Sequence, residues 1–199
     1  MAMRVFKLII WIGLVAAIWG VVLYVKSPSR HVQALSEHQS SLRKGAAPTG
    51  NYNAPVTIAS LKDRSITESS GLATSKANPG IYWTHNDSGN GPLIYAFDAT
   101  GASRGVWQIP GATCKDWEDI AVGPGPQAGK SYIYIGDTGD NEAMRSHVEV
   151  YRIPEPTVAV ESATSSKAKP LITEPAELFR FRYPDGKHDA ETLLVHPQS

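Results

Sequence analysis

Two acidic turns in this chain have the composition of a cation site. Asp116-x-Glu118, followed directly by Asp119, lies in GATCKDWEDIAV, and Asp189-x-Glu191 lies in YPDGKHDAETLLV. Between them, Asp137-Thr138-Gly139-Asp140-Asn141-Glu142 is dense in oxygen ligands. Carboxylates converging on one place repel each other unless a cation or protons neutralise them. Hard oxygen ligands suit Ca²⁺ or Mg²⁺, and Ca²⁺ is the ion expected here. The expected ligands are Glu118, Asp119, Asp137 and Asp140, with Asp189 and Glu191 from the following repeat. Two other uses stay open for the same residues: capping the backbone N–H groups of their own turns, and direct catalysis. Glu68 is the corresponding acid ahead of the first repeat, and Asn86-Asp87-Ser88-Gly89-Asn90 is the counterpart of the 137–142 turn. Arg145 is expected to pair with one of these acids or with an anionic ligand.

Other chemistries are excluded by spacing. Neither Asx-rich turn has the EF-hand pattern of Gly at position six and Glu at twelve. Pro124 to Ser131 resembles a phosphate loop, but Pro124 stands where the first Gly is required and a strand follows where a helix is needed. No Gly-x-Ser-x-Gly elbow exists, and His85, Asp87 and Ser88 are too close in sequence to stack as a relay. The single cysteine, Cys114, rules out an intramolecular disulfide framework and a Cys-based zinc site. A formal net charge of zero gives no basis for a nucleic-acid surface.

The acidic turns must be held by strands, because the chain between them alternates with a period of two. GVWQIPGATCKDWEDIAV and LFRFRYPDGKHDAETLLV each place an alternating strand, a turn and then Asp-x-Glu-x-apolar. IYWTHNDSGNGPLIYAFD similarly matches YIYIGDTGDN…VEVYRIP, with Asp87-Ser88-Gly89 over Asp137-Thr138-Gly139. A four-part unit recurring every several tens of residues is the signature of a β-propeller blade. The predicted strands are Val56–Leu61 alone, then Gly71–Thr74, Ile81–His85, Leu93–Asp98 and Gly105–Ile109. Ile120–Val122, Tyr132–Gly136, Val148–Ile153 and Leu178–Tyr183 make a second set, and Thr192–Val195 opens a third. Glu155 to Glu177 reads as an exposed, mobile insertion. Trp83 and Trp107 are expected in the core between blades, and Trp117 against a neighbouring blade.

The fold class expected is therefore all-β, a partial propeller of about two four-stranded blades plus flanking strands in residues 55–199. Two blades cannot close a ring of four to eight. The expectation is the N-terminal part of a longer propeller.

The N-terminus differs in kind. Leu8 to Val25 is an uncharged apolar run of 18 residues behind Arg4 and Lys7. At 1.5 Å per residue it nearly spans the ~30 Å hydrocarbon core. No Ala-x-Ala site follows it, so residues 1–26 read as an uncleaved signal anchor. Residues 27–54 read as a polar juxtamembrane spacer. The main domain is then expected on the extracytoplasmic side of a cell membrane. Setting aside Arg4, Lys7 and Lys26 leaves 16 Lys+Arg against 19 Asp+Glu, a mildly acidic exported domain.

ESSGLATSKANPGIYWTHNDSG, DWEDIAVGPGP, YIGDTGDN and RYPDGKHDAETLLV together resemble a group of exported bacterial propeller-like proteins. More loosely they resemble the esterase-like-activity-of-phytase and SdiA-regulated families. The resemblance covers residues 66–196 and implies a membrane-anchored binding or scaffolding module for a protein or small-molecule ligand. Its alternatives are a metal-assisted phosphoesterase or esterase of phytase-like type, and a fragment with no function of its own. Few basic residues stand beside the acids in sequence (Lys115, Arg145, Lys187, His188), which favours binding over catalysis.

Overall fold

Alternating apolar and polar residues between Gly- and Asx-rich turns build two antiparallel sheets. The structure, a computed structural model, describes residues 54–197. In the first sheet, β1 (Ser69–Thr74), β2 (Ile81–Asn86), β3 (Leu93–Asp98) and β4 (Ser103–Gln108) follow one another as a meander. In the second, β5 (Trp117–Pro124), β6 (Ser131–Asp137) and β7 (Val148–Pro154) do the same, and β9 (Glu177–Phe181) completes the sheet beside β7. The two-residue β8 (Leu171–Ile172) adds to the first sheet in parallel with β4. The protein is thus all-β among its described residues, with two open sheets and no closed barrel.

The sheets share one apolar core. Trp83, Ile94, Trp107 and Ile109 come from the first sheet and its exit. Trp117, Ile120, Ile133, Ile135, Tyr151 and Ile153 come from the second. The Trp83 and Trp107 rings meet edge to face with centroids 5.2 Å apart, and His85 meets Trp117 at 5.6 Å. Burying an indole removes 150–250 Å² from water, roughly 4–6 kcal/mol per ring before chain entropy is charged against it. All three tryptophans occupy the core, as their positions in the repeats led us to expect.

The first strands of the two sheets approach very closely. A Cβ on Gly71 would stand 2.6 Å from the Ile120 nitrogen and 2.8 Å from His85 Nε2. Only glycine lets β1 and β5 lie this near. The Ser70 hydroxyl adds a hydrogen bond to the Glu118 carbonyl at 2.8 Å.

Three expectations need correction. Val56–Leu61 pairs with no strand. It lies extended with Val56 and Ile58 exposed, and the nearest fixed point is the Lys62 N–H bonded to the Gly101 carbonyl at 2.9 Å. Thr192–Val195 also joins no sheet. It runs beside β5, where the Leu193 N–H donates to Asp119 Oδ2 at 2.8 Å. The third concerns the insertion, which is not a free loop. A 3₁₀ turn (Val160–Thr164) and β8 lace it along β4, and the Val106 N–H donates to Ser165 Oγ at 2.8 Å. Its first residue, Glu155, accepts from Trp83 Nε1 (2.8 Å), the Ala77 N–H (3.1 Å) and the hydroxyls of Ser75 and Ser131.

Among the described residues no helix is long and apolar enough to cross a membrane. The anchor expected at Leu8–Val25, and nearly all of the spacer expected at 27–54, lie outside the described residues.

Candidate metal centre

The acidic turns sit where each sheet begins, and the same cap positions both. Asn86 ends β2, and its Oδ1 accepts the N–H groups of Thr67 and Glu68 at 3.0 and 3.2 Å. Asp137 ends β6, and its carboxylate accepts the N–H groups of Lys115 and Asp116, both at 3.2 Å. The paired positions are therefore Asn86 with Asp137 and Glu68 with Asp116. The sequence echo set Asp87 over Asp137, one residue out of register. An Asx oxygen at the end of the second strand holds the chain entering the first strand in each sheet.

This frame gathers four carboxylates around that of Glu118. Glu118 is only 7% exposed on β5. On one side it groups with Asp87, from the loop after β2, and with Asp116; the ligand atoms of the three lie within 4.8 Å of one another. On the other side it groups with Asp189 and Glu191 at the same spacing. Gly139 makes room: a Cβ there would stand 2.2 Å from Glu118 Oε1 and 2.4 Å from Asp116 Oδ2. Asp189 is steadied by the Asp140 N–H at 2.7 Å, and Asn141 Nδ2 reaches Asp116 Oδ2 at 3.5 Å.

Glu118 carries the electrostatic cost of this crowding. Burial, then the hydrogen bond and charge of Glu191, then the charges of Asp116 and Asp87 push its carboxyl up to about 8. Among the described residues no N–H and no hydroxyl donates to it; its hydrogen-bond partner is another carboxyl. Asp116 is also raised, by burial and by Asp87, while Asn141 and Arg145 pull it the other way. A site of this kind takes up either protons or a hard cation.

Of the six residues expected as ligands, Glu118, Asp189 and Glu191 come together. The other three turn toward the backbone. Asp137 is fully buried, bonded to the Lys115 and Asp116 N–H groups and ion-paired with Arg145 Nη1 at 2.8 Å. Asp140 accepts the N–H groups of Met144 (2.7 Å) and Arg145 (3.0 Å). Asp119 accepts those of Ile120 and Leu193, both at 2.8 Å, and so ties the 190–195 segment to β5. Asp87 and Asp116 complete the cluster without having been among the six. The signal for Asp116 was its place in the Asp-x-Glu pair. Asp87 could have been found by aligning Asn86 with Asp137, which moves Asp87 off the cap and leaves its carboxylate with the adjacent Ser88 N–H.

His85 has no part in a relay. It is fully buried, its Nδ1 lies 2.9 Å from the Asn86 carbonyl oxygen, and burial holds its pKa below the usual value. Pro124 to Ser131 forms the hairpin between β5 and β6, with no helix at its end.

Comparison of the chain with protein-family models, with curated proteins and with solved structures finds no match.

Proposed function

We propose that the described domain is a propeller-type binding or scaffolding module that holds a divalent cation, Ca²⁺ by preference, in the carboxylate cluster around Glu118. The observation that carries this reading is Glu118 itself: a residue 7% exposed, its carboxylate among four others and with no N–H or hydroxyl donor among the described residues. An isolated buried carboxylate is costly unless it is paired, protonated or bound to a metal. The donor set is all oxygen, the chemistry that Ca²⁺ and Mg²⁺ take. Asp87, Asp116, Glu118, Asp189 and Glu191 would supply the ligands, and Gly139 the floor.

The propeller part of the reading rests on the repeated frame. Each sheet has four antiparallel strands entered through the same Asx cap, the first with β8 added beside β4, and β1 packs against β5. The 190–195 segment lies against β5 in turn, through the Leu193–Asp119 bond and through Val195, whose Cγ1 would stand 2.3 Å from a Cβ on Gly123. Carboxylates from successive repeats then meet at one end of the domain. In this reading Leu8–Val25 anchors the protein in the cell membrane with the module on the extracytoplasmic face, as the resemblance to exported propeller-like proteins implies.

Calcium titration of the full chain tests the cation. An ion that binds only the folded form stabilises by RT ln(1 + [L]/Kd), about 2.7 kcal/mol at a hundredfold excess. The thermal midpoint should rise with millimolar Ca²⁺ and fall with chelator, and Glu118→Gln should lose that response. Identical midpoints in Ca²⁺ and in chelator would leave the cluster as a set of shared-proton carboxyls.

A further inference from the structure

The geometry points to a second, oppositely charged site: a cavity of about 220 Å³ beside the acidic turns that binds a small oxyanion, a phosphate monoester or a carboxylate. Its basic lining is Arg145, His147, Arg182, Lys187 and His188, and Asp140 is its one acid. The Asp140 carboxylate already accepts backbone N–H groups from Met144 and Arg145, so it faces its own turn. Three of the five basic side chains have acidic partners: Arg145 with Asp137, His147 with Glu149 at 3.3 Å, and His188 with Asp185 at 3.0 Å. The other two do not. Lys187 Nζ reaches only the Met144 carbonyl at 3.1 Å, and Arg182 pairs with no acid among the described residues. Two full positive charges therefore stand at one cavity without an anion to meet them. Arg145 adds a buried Nη2 with no hydrogen-bond partner among the described residues.

Size and chemistry restrict the ligand. Drug-sized ligands occupy clefts of roughly 300–1,000 Å³, so this cavity accepts an anionic head and little more. Guanidinium groups favour planar or tetrahedral oxyanions, which they bind by two parallel N–H···O bonds, over spherical halides. The walls come from two turns. Asp140 to Val148 enters β7, and Phe181 to His188 follows β9, so the site exists only once these strands are paired. It shares Arg145 with the carboxylate cluster, since that guanidinium also acts on Asp116. It does not depend on a cation being bound there.

The test uses the full 199-residue chain purified in detergent, titrated with sodium phosphate, sodium malonate and sodium chloride at constant ionic strength. Phosphate or malonate should raise the thermal midpoint where chloride does not. A response to phosphate alone identifies a phosphate-type ligand, and a response to malonate alone a carboxylate. The double variant Arg182→Ala/Lys187→Ala changes two exposed side chains outside both the core and the carboxylate cluster. It should keep the ligand-free midpoint and weaken the apparent Kd at least tenfold. Glu118→Gln should keep the oxyanion response while losing any response to Ca²⁺, which separates this site from the cation reading. Equal stabilisation by chloride, or unchanged affinity in the double variant, would overturn the proposal.

Discussion

Glu118 concentrates the unfavourable electrostatics of the molecule in one side chain, and its protonation gives a sign that can be measured. Folded, it keeps a proton to about pH 8; unfolded, it releases that proton near pH 4. Between those values the unfolded chain binds fewer protons than the folded one, so stability falls as pH rises. The contribution is complete below the unfolded value and gone above the folded one. In chelator, the midpoint of the natural chain should therefore decline from pH 5 to pH 8.5 more steeply than that of Glu118→Gln. Parallel curves would mean that Glu118 ionises normally. With Ca²⁺ present the slope should reverse, because the ligands must be deprotonated to bind metal. Asp119, Asp137 and Asp140 differ from Glu118 in their partners: each accepts two backbone N–H groups.

At the scale of elements, the insertion after β7 joins the two sheets more than it extends them. Glu155 receives bonds from the β1–β2 turn, from Trp83 in β2 and from Ser131 at the start of β6. Removing a carboxylate that serves several part-buried donors leaves them unsatisfied, at about 1–3 kcal/mol for the worst placed. Glu155→Ala should lower unfolding free energy by about 2–3 kcal/mol in a urea titration. It should also speed hydrogen exchange at Ala77 and along the 155–176 segment. A variant as stable as the natural chain would show that the insertion rests on its other bonds, among them Val158 N–H to Asn78 Oδ1 at 2.8 Å and Ser165 Oγ to the Val106 N–H. The sequence showed the Ser/Thr/Ala/Lys composition of this segment. Glu155 lies 80 residues from Ser75, and no local pattern connects the two.

For the whole molecule, the division between a terminal apolar run and a β-domain leads to a fractionation experiment. Deleting residues 1–30 should move the protein from washed membranes to the soluble fraction. Retention of the deleted form in membranes would remove the anchor from the proposed function.

The eight long strands of the two sheets were legible because period-two alternation and Gly/Asx turns are local signals, set within six or eight residues, whereas the two-residue β8 was not. The burial of Trp83, Trp107 and Trp117 was legible for the same reason, as was the presence of an acidic turn at the head of each repeat. Tertiary structure alone decided which acids meet. Asp87, Asp116 and Glu118 approach because β1 and β5 pack at Gly71, and because the Asn86 and Asp137 caps place the two turns in a common register. Spacing identified carboxylates of one type. Asp140 found its N–H donors four and five residues on, but the carboxylates that meet Glu118 from Asp87, Asp189 and Glu191 come from dozens of residues away, and only tertiary packing brings them within reach.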